Sequence, residues 1–168
     1  MCSSDLHSQL LTRTRPSGLE RGTGMPRFMG GALSAGAGST TLPLMSLYAI
    51  AANGCALREC GVFNTTATAV TVKLARFTTA GTQGSSITIA KYNLNRTAQM
   101  TMFNTHTVAP AATDAGYRAQ LGAAVGAAVI WTFGDTGIII EPGTGNGVGV
   151  LIENGTGQVC QVYFAWDE

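Results

Sequence analysis

The chain is poor in the residues that most enzymes depend on. It has two histidines among 168 residues, and 11% of its residues are charged, compared with roughly 25% in an average soluble domain. Beyond Met25, His106 is the one remaining histidine, and seven basic residues balance seven acidic ones. A centre built from several histidine ligands is therefore excluded. We expect no catalytic residue, no metal, no cofactor and no enzymatic activity.

The chain has neither clustered positive charge nor long apolar runs, and both absences limit the partners that it is expected to bind. The net charge is +1, and no basic patch of the kind that neutralises a run of phosphates is present. The richest apolar stretch, residues 42–52, is shorter than the roughly 20 residues that span a bilayer and contains Pro43 and Ser46. We therefore expect neither a nucleic-acid partner nor a membrane partner.

Cysteine is also scarce, and its spacing matches no known framework. Beyond Met25 there are three cysteines, Cys55, Cys60 and Cys160, an odd number that disfavours a complete set of disulfides. Cys55 and Cys60 are five residues apart, which fits no zinc motif. Strict alternation along one strand would place them on opposite faces. We expect all three to be buried, reduced and structural.

Residues 1–24 differ from the rest of the chain. They show no periodic apolar pattern and lack the continuous apolar core and small-residue cleavage site of a signal peptide. The opening MCSSDL resembles a translated sequencing-adapter end, which would place the true start at Met25. The competing interpretation is a genuine disordered arm. In both cases we expect one domain over residues 25–168.

From Met25 onward, short apolar or alternating segments are separated by turn residues rich in Gly, Asn and Thr. Val70, Val72 and Leu74 alternate with polar residues, which is typical of a half-buried strand. In the last segment Cys160, Val162, Phe164 and Trp166 share one face. The turn Asn154–Gly157 predicts a hairpin into that strand. The strands are expected at 44–50, 55–63, 70–74, 87–89, 97–103, 117–121, 127–133, 138–140, 148–152 and 160–166.

Roughly eight to ten short strands at spacings near ten residues indicate a β-sandwich or barrel. The one competing helical segment, 119–130, contains Gly122 and Gly126 and is followed by β-branched residues. Long Gly/Thr loops and the absence of a Cys…Trp…Cys spacing favour an antiparallel jelly roll over an immunoglobulin sandwich. We predict a single-domain jelly-roll β-sandwich, with another β-sandwich as the alternative.

Three local features resemble functional motifs. His106 lies in a loop without a nucleophile nearby in sequence, and we expect a hydrogen-bonded surface residue. The run Gly143–Gly149 lacks the GxGxxG order and opens a strand, so we expect a tight turn rather than a phosphate loop. Asn-x-Thr sequons occur at Asn64, Asn95 and Asn154, and we expect them to be chance products of a Thr-rich chain.

Three stretches carry a resemblance to a family: FNTHTVAP (103–110), VIWTFGDTGIII (129–140) and NGTGQVCQVYFAWDE (154–168). They look like small structural proteins encoded in tailed-phage and prophage gene sets, which are thought to be jelly-roll virion components. The resemblance implies a non-enzymatic head decoration or capsid-stabilising protein, located on the virion and made in the bacterial host cytoplasm. The low charge favours a homo-oligomer, with a trimer expected, bound to capsid or other virion proteins.

A second hypothesis is a carbohydrate- or receptor-binding domain of a fibre or tip. Aromatic side chains can stack on a sugar ring. The candidates for such a platform are Trp131, Trp166, Tyr92 and Tyr117. An exposed tryptophan beside Asp135 or Asn146 would favour this hypothesis. Burial of both tryptophans in the core would disfavour it.

Overall fold

A computed structural model describes residues 25–92 and 95–168, and its regular elements are all β-strands. Each of the ten predicted segments overlaps a strand, but β5 and β6 begin two and four residues later than predicted, and β7 begins five residues earlier. The strands are β1 (Arg27–Leu33), β2 (Met45–Tyr48), β3 (Cys55–Asn64), β4 (Val70–Phe77), β5 (Ile89–Lys91), β6 (Thr101–Asn104), β7 (Ala112–Leu121), β8 (Ala128–Thr132), β9 (Ile138–Ile140), β10 (Gly147–Asn154) and β11 (Cys160–Asp167).

The strands form two antiparallel sheets packed face to face. The first sheet has the order β5-β1-β11-β3-β8, with β9 also pairing with β3, and the second has the order β6-β2-β10-β4-β7. The first long strand pairs with the last, β2 with β10, β3 with β8 and β4 with β7. The predicted all-β sandwich is confirmed, and the finer jelly-roll assignment stays a prediction.

The segment between β4 and β7 joins the two sheets at one side of the sandwich. Within it, β5 pairs with β1 at the edge of the first sheet, and β6 pairs with β2 at the edge of the second. The long Gly/Thr loop predicted around residues 79–86 lies in this segment. Its start lies over the outward side of the second sheet, where the Tyr48 hydroxyl donates to the Ala80 carbonyl at 3.3 Å.

The core lies between the sheets and follows the alternation of the strands. Val162, Phe164 and Trp166 of β11 are fully buried, as predicted, together with Cys160. Trp166 stacks on Phe28 with a centroid distance of 6.2 Å, and its indole N–H donates to Glu168 Oε1 at 2.8 Å. Burial of these side chains supplies most of the driving force that holds the sheets together.

Two sequence-based expectations about strands are wrong or incomplete. Strand β1 was not predicted, because Gly30 and Gly31 interrupt the alternation that identifies a strand. The Asn154–Gly157 turn does not close a hairpin. Strand β10 pairs with β2 and β4 in the second sheet, whereas β11 pairs with β1 and β3 in the first. The turn therefore carries the chain from one sheet to the other. The predicted N-terminal extension, residues 1–24, lies outside the described residues.

Candidate functional site

His106 is buried, which corrects the expectation of a surface residue. It is 2% exposed, and its Nε2 lies 2.7 Å from the hydroxyl oxygen of Ser46, itself fully buried on β2. The imidazole stacks on Tyr48 at 5.8 Å. Ser46 is 60 residues away in sequence, so only the folded sheet brings the two together.

A serine hydroxyl bonded to an imidazole is the geometry of an activated nucleophile. Here the pair is enclosed, and neither residue lines a described cavity. Among the described residues no carboxylate or other side chain bonds Nδ1 to orient the ring. Burial lowers the pKa of His106, and a weaker interaction with the Val108 backbone opposes part of this shift. The pair acts as a buried polar contact between β2 and the loop after β6.

The three cysteines are buried, reduced and unpaired. Burial raises the pKa of each thiol, to about 11 for Cys160, so none is a ready thiolate nucleophile. Cys55 and Cys60 do not lie on opposite faces, because both belong to the core. The register between β11 and β3 shifts at this point: Ala165 pairs with Glu59, but Trp166 pairs with Leu57. This bulge absorbs Arg58 and returns Cys55 to the core side.

The glycine-rich run and one sequon have structural roles. Asn146 N–H donates to the carbonyl of Gly143 at 2.9 Å, and Gly147 then begins β10, so the predicted tight turn is confirmed. Asn64 is fully buried, and its amide donates to the carbonyls of Thr68 (2.7 Å) and Gly122 (3.1 Å). Folded protein therefore offers no glycan acceptor at Asn64.

Neither tryptophan forms an exposed platform. Trp166 is fully buried and Trp131 is 9% exposed. Tyr117 packs edge-on against Trp131 and Phe133, at 6.4 and 5.0 Å. Tyr92 differs from these residues, because it is 63% exposed and borders the same cavity as Asp135.

The outward side of the first sheet is apolar over most of its length. We call this surface the open face. Leu33 and Ile130 are each 52% exposed there. Tyr163 lies over Gly61 and stacks on Phe63 at 6.2 Å. A shallow cavity of about 460 Å³ lies beside these rings. The open face is defined by Met29, Gly31, Leu33, Gly61, Phe63, Ala90, Ala128, Ile130, Gln161 and Tyr163.

At one end of the same sheet the apolar surface gives way to charge. We call this region the polar groove, a cavity of about 420 Å³ lined by Arg27, Arg58, Glu59, Tyr92, Thr132, Gly134, Asp135 and Ala165. Asp167 lies beneath it and accepts hydrogen bonds from both guanidinium groups. Burial raises the pKa of Asp167, but the bonds from Arg27 and Arg58 outweigh burial and hold it below its usual value.

The outward side of the second sheet, which we call the covered face, is enclosed by the chain itself. Tyr48, Phe77 and Leu151 form a separate buried cluster there. The loops 78–86 and 105–111 lie over it. They are joined by hydrogen bonds between Thr82 and the backbone of residues 107 and 108. Sequence reasoning missed this second cluster, although the alternating Gly147 and Gly149 make room for the rings of Tyr48 and Phe77.

The described residues hold no group of three or more histidine, cysteine, aspartate or glutamate side chains placed to bind a metal ion. No helix in the described part of the chain has the length and apolarity needed to cross a membrane. Comparison with protein-family models, with curated proteins and with solved structures finds no match.

Proposed function

We propose that this chain is a non-enzymatic structural protein of a phage virion, which assembles as a homo-oligomer and stabilises the capsid as a decoration protein. The observation that carries the proposal is the open face. It presents half-exposed Leu33 and Ile130 beside the rings of Phe63 and Tyr163. Contiguous apolar surface of this kind marks a contact with another protein.

The occupant that fits the open face best is a second copy of the chain. Its defining residues are uncharged, so covering them leaves no charge without water. Sheets pack face to face about 10 Å apart, as the two sheets do within the sandwich. A stable contact of this type buries more than about 1,000 Å². In the expected trimer, which follows the resemblance to virion proteins, the open face of each copy packs on a different surface of the next copy around a three-fold axis, because open face against open face would join only two copies.

The strand order supports a jelly-roll assignment within this proposal. The outermost pair is β1 with β11, followed by β2 with β10, β3 with β8 and β4 with β7. The chain is thus a long hairpin rolled so that successive strand pairs alternate between the sheets. An eight-stranded, two-sheet roll of this kind is the jelly roll of many capsid domains.

The enclosed Ser46–His106 pair supports the non-enzymatic part of the proposal. Substrate would have to displace the loops 78–86 and 105–111 to reach the hydroxyl. A rigid sandwich suits a lattice protein, because repeated contacts must be held in one geometry across many copies.

Mass spectrometry of virus particles purified from the host that carries this gene tests the proposal. We expect the chain among the particle proteins, at many copies per particle relative to the portal protein. A matched sample from lysate freed of particles should be depleted of it. Recovery of the chain only in the particle-free fraction would contradict the virion role.

A further inference from the structure

We propose that the polar groove is a binding site for a neutral saccharide, with a pyranose ring stacked on Tyr92 and its hydroxyl groups held by Arg58, Glu59 and Asp135. The groove lies across the charged end of the first sheet. The groove adjoins the open face but shares none of its defining residues, so the proposed ligand does not rest on the proposed structural role.

The groove has the size of one or two sugar rings. Its volume is about 420 Å³. Across the sheet it reaches from Arg27 on β1 to Thr132 on β8, which spans three strand spacings, or about 14 Å. The small side chain of Ala165 forms the floor between Met29 and Glu59, its neighbours in register. Tyr92 stands at one end, and the loop with Gly134 and Asp135 stands at the other.

The two arginines are fixed before any ligand arrives. Arg27 donates from Nε and Nη2 to Asp167 at 2.7 and 3.1 Å, and Arg58 donates from Nε to the same carboxylate at 2.7 Å. Arg58 also donates to the backbone carbonyls of Gly134 and Asp135. Side chains held in this way lose little conformational entropy on binding, which favours a weak ligand.

Both donors and acceptors remain available at the rim. Among the described residues, Nη1 of Arg27 and Nη2 of Arg58 have no hydrogen-bond partner, nor does the carboxylate of Asp135. Glu59 uses Oε1 to accept from the Tyr163 hydroxyl at 2.5 Å and keeps Oε2. A sugar hydroxyl both donates and accepts, so it can bridge groups of the two kinds.

The charge balance selects a neutral ligand over an anion. The two guanidinium groups face three carboxylates, those of Glu59, Asp135 and Asp167. Phosphate or sulfate would meet two guanidinium groups that are already paired with Asp167, and it would be repelled by the nearby carboxylates of Glu59 and Asp135. The exposed ring of Tyr92 adds an apolar surface for the C–H face of a pyranose. A neutral polyhydroxyl compound satisfies all of these groups at once.

Saturation-transfer NMR with the full chain tests the site. The probes are the methyl pyranosides of glucose, galactose, mannose and N-acetylglucosamine, each at up to about 50 mM, with inorganic phosphate in parallel. We expect at least one pyranoside to bind and phosphate not to bind. Tyr92→Ala should weaken that binding about tenfold, whereas Tyr92→Phe, which keeps the ring, should bind like the unaltered chain.

Carboxylate variants supply the matched control. Asp135→Ala should weaken binding about fivefold or more, whereas Asp114→Ala, which removes an exposed carboxylate from the second sheet, should leave it unchanged. Circular dichroism confirms that each variant is folded. The proposal is overturned if no pyranoside binds, if Tyr92→Ala binds as tightly as the unaltered chain, or if phosphate binds and no sugar does.

Discussion

The outward sides of the two sheets differ in how their apolar side chains are covered. On the covered face, loops 78–86 and 105–111 lie over Tyr48, Phe77 and Leu151, so the chain buries its own apolar surface. On the open face, Leu33 and Ile130 remain half exposed, with Phe63 and Tyr163 beside them. The open face leaves apolar surface for a second molecule to cover, whereas the chain's own loops already bury the apolar side chains of the covered face.

The charged residues are also distributed differently on the outward sides of the two sheets. Where the loops leave the second sheet uncovered, Lys73 and Arg118 both pair with Glu153, at 2.9 and 3.0 Å, and Arg118 also pairs with Asp114. That uncovered part is therefore charged and can be solvated by water. On the first sheet the ion pairs of Asp167 occupy one end, and most of the remaining outward surface is apolar. On the side of the second sheet Val108 is also exposed, at 54%, but it lies in a covering loop, whereas Leu33 and Ile130 lie on the strands of the open face itself.

Truncating one phenylalanine on each face gives the largest expected contrast. Phe77→Ala should cost about 3–5 kcal/mol of unfolding free energy, because its ring is buried against Tyr48 at 5.8 Å. Phe63→Ala should cost less than about 1.5 kcal/mol, because its ring is partly exposed and stacks on Tyr163 at the outward surface of the sheet. Urea denaturation at low protein concentration measures both. Equal losses would show that the two faces are equally buried within one chain.

Adding a methyl group under each ring should give a smaller contrast. A Cβ at Gly149 would lie 2.6 Å from the Phe77 ring and 2.8 Å from the Met45 carbonyl oxygen. Since the loops hold Phe77 in place, Gly149→Ala should cost about 1–3 kcal/mol. The three atoms nearest to a Cβ at Gly61 all belong to the partly exposed ring of Tyr163. Because this ring can turn toward solvent, Gly61→Ala should cost less than about 1 kcal/mol. Thermal melts of both variants measure this difference, and a larger loss for Gly61→Ala would contradict it.

The smallest expected effect is a pH dependence of stability between pH 8 and 5, which comes from His106 on the covered face. The folded-state pKa of His106 is lowered, so the unfolded chain binds more protons near its ordinary pKa of about 6.5. Stability should therefore be fully present above that value and fall as the pH drops through the folded pKa. Melting temperatures of the unaltered chain and of His106→Gln between pH 8 and 5 measure the effect. The two chains differ only at residue 106, so identical profiles would contradict the assignment to His106.

The sequence predicted the sandwich because alternation along the strands directly encodes which side is buried. Alternation alone assigns Val70, Val72 and Leu74 to the buried side of their strand, whichever strands pair with it. The same pattern could not distinguish a hairpin from a crossover at Asn154–Gly157, since both need a turn. It also could not reveal the bulge at Arg58, because alternation assumes an unbroken register.

The candidate sites were harder to predict because they depend on contacts between distant residues. Ser46 and His106 meet across 60 residues, and Arg27 reaches Asp167 across 140. The exposure of Tyr92 and the burial of Trp131 depend on which strands lie at the edges of the sheets and on what packs beside them. Local sequence does not specify either. Tyr92 was named as an aromatic candidate, but nothing in its neighbourhood linked it to Arg58 or Asp135.

Sedimentation equilibrium of matched charge variants tests most directly whether the open face is the contact surface. The unaltered chain should sediment as an oligomer, expected to be a trimer of about three times the 17.3 kDa chain mass. Ile130→Glu places a carboxylate on the open face and should yield the monomer. Val125→Glu places the same charge on an exposed turn residue, 72% accessible, and should leave the oligomer intact. A monomer for the unaltered chain at every concentration, or an oligomer unaffected by Ile130→Glu, would contradict the account.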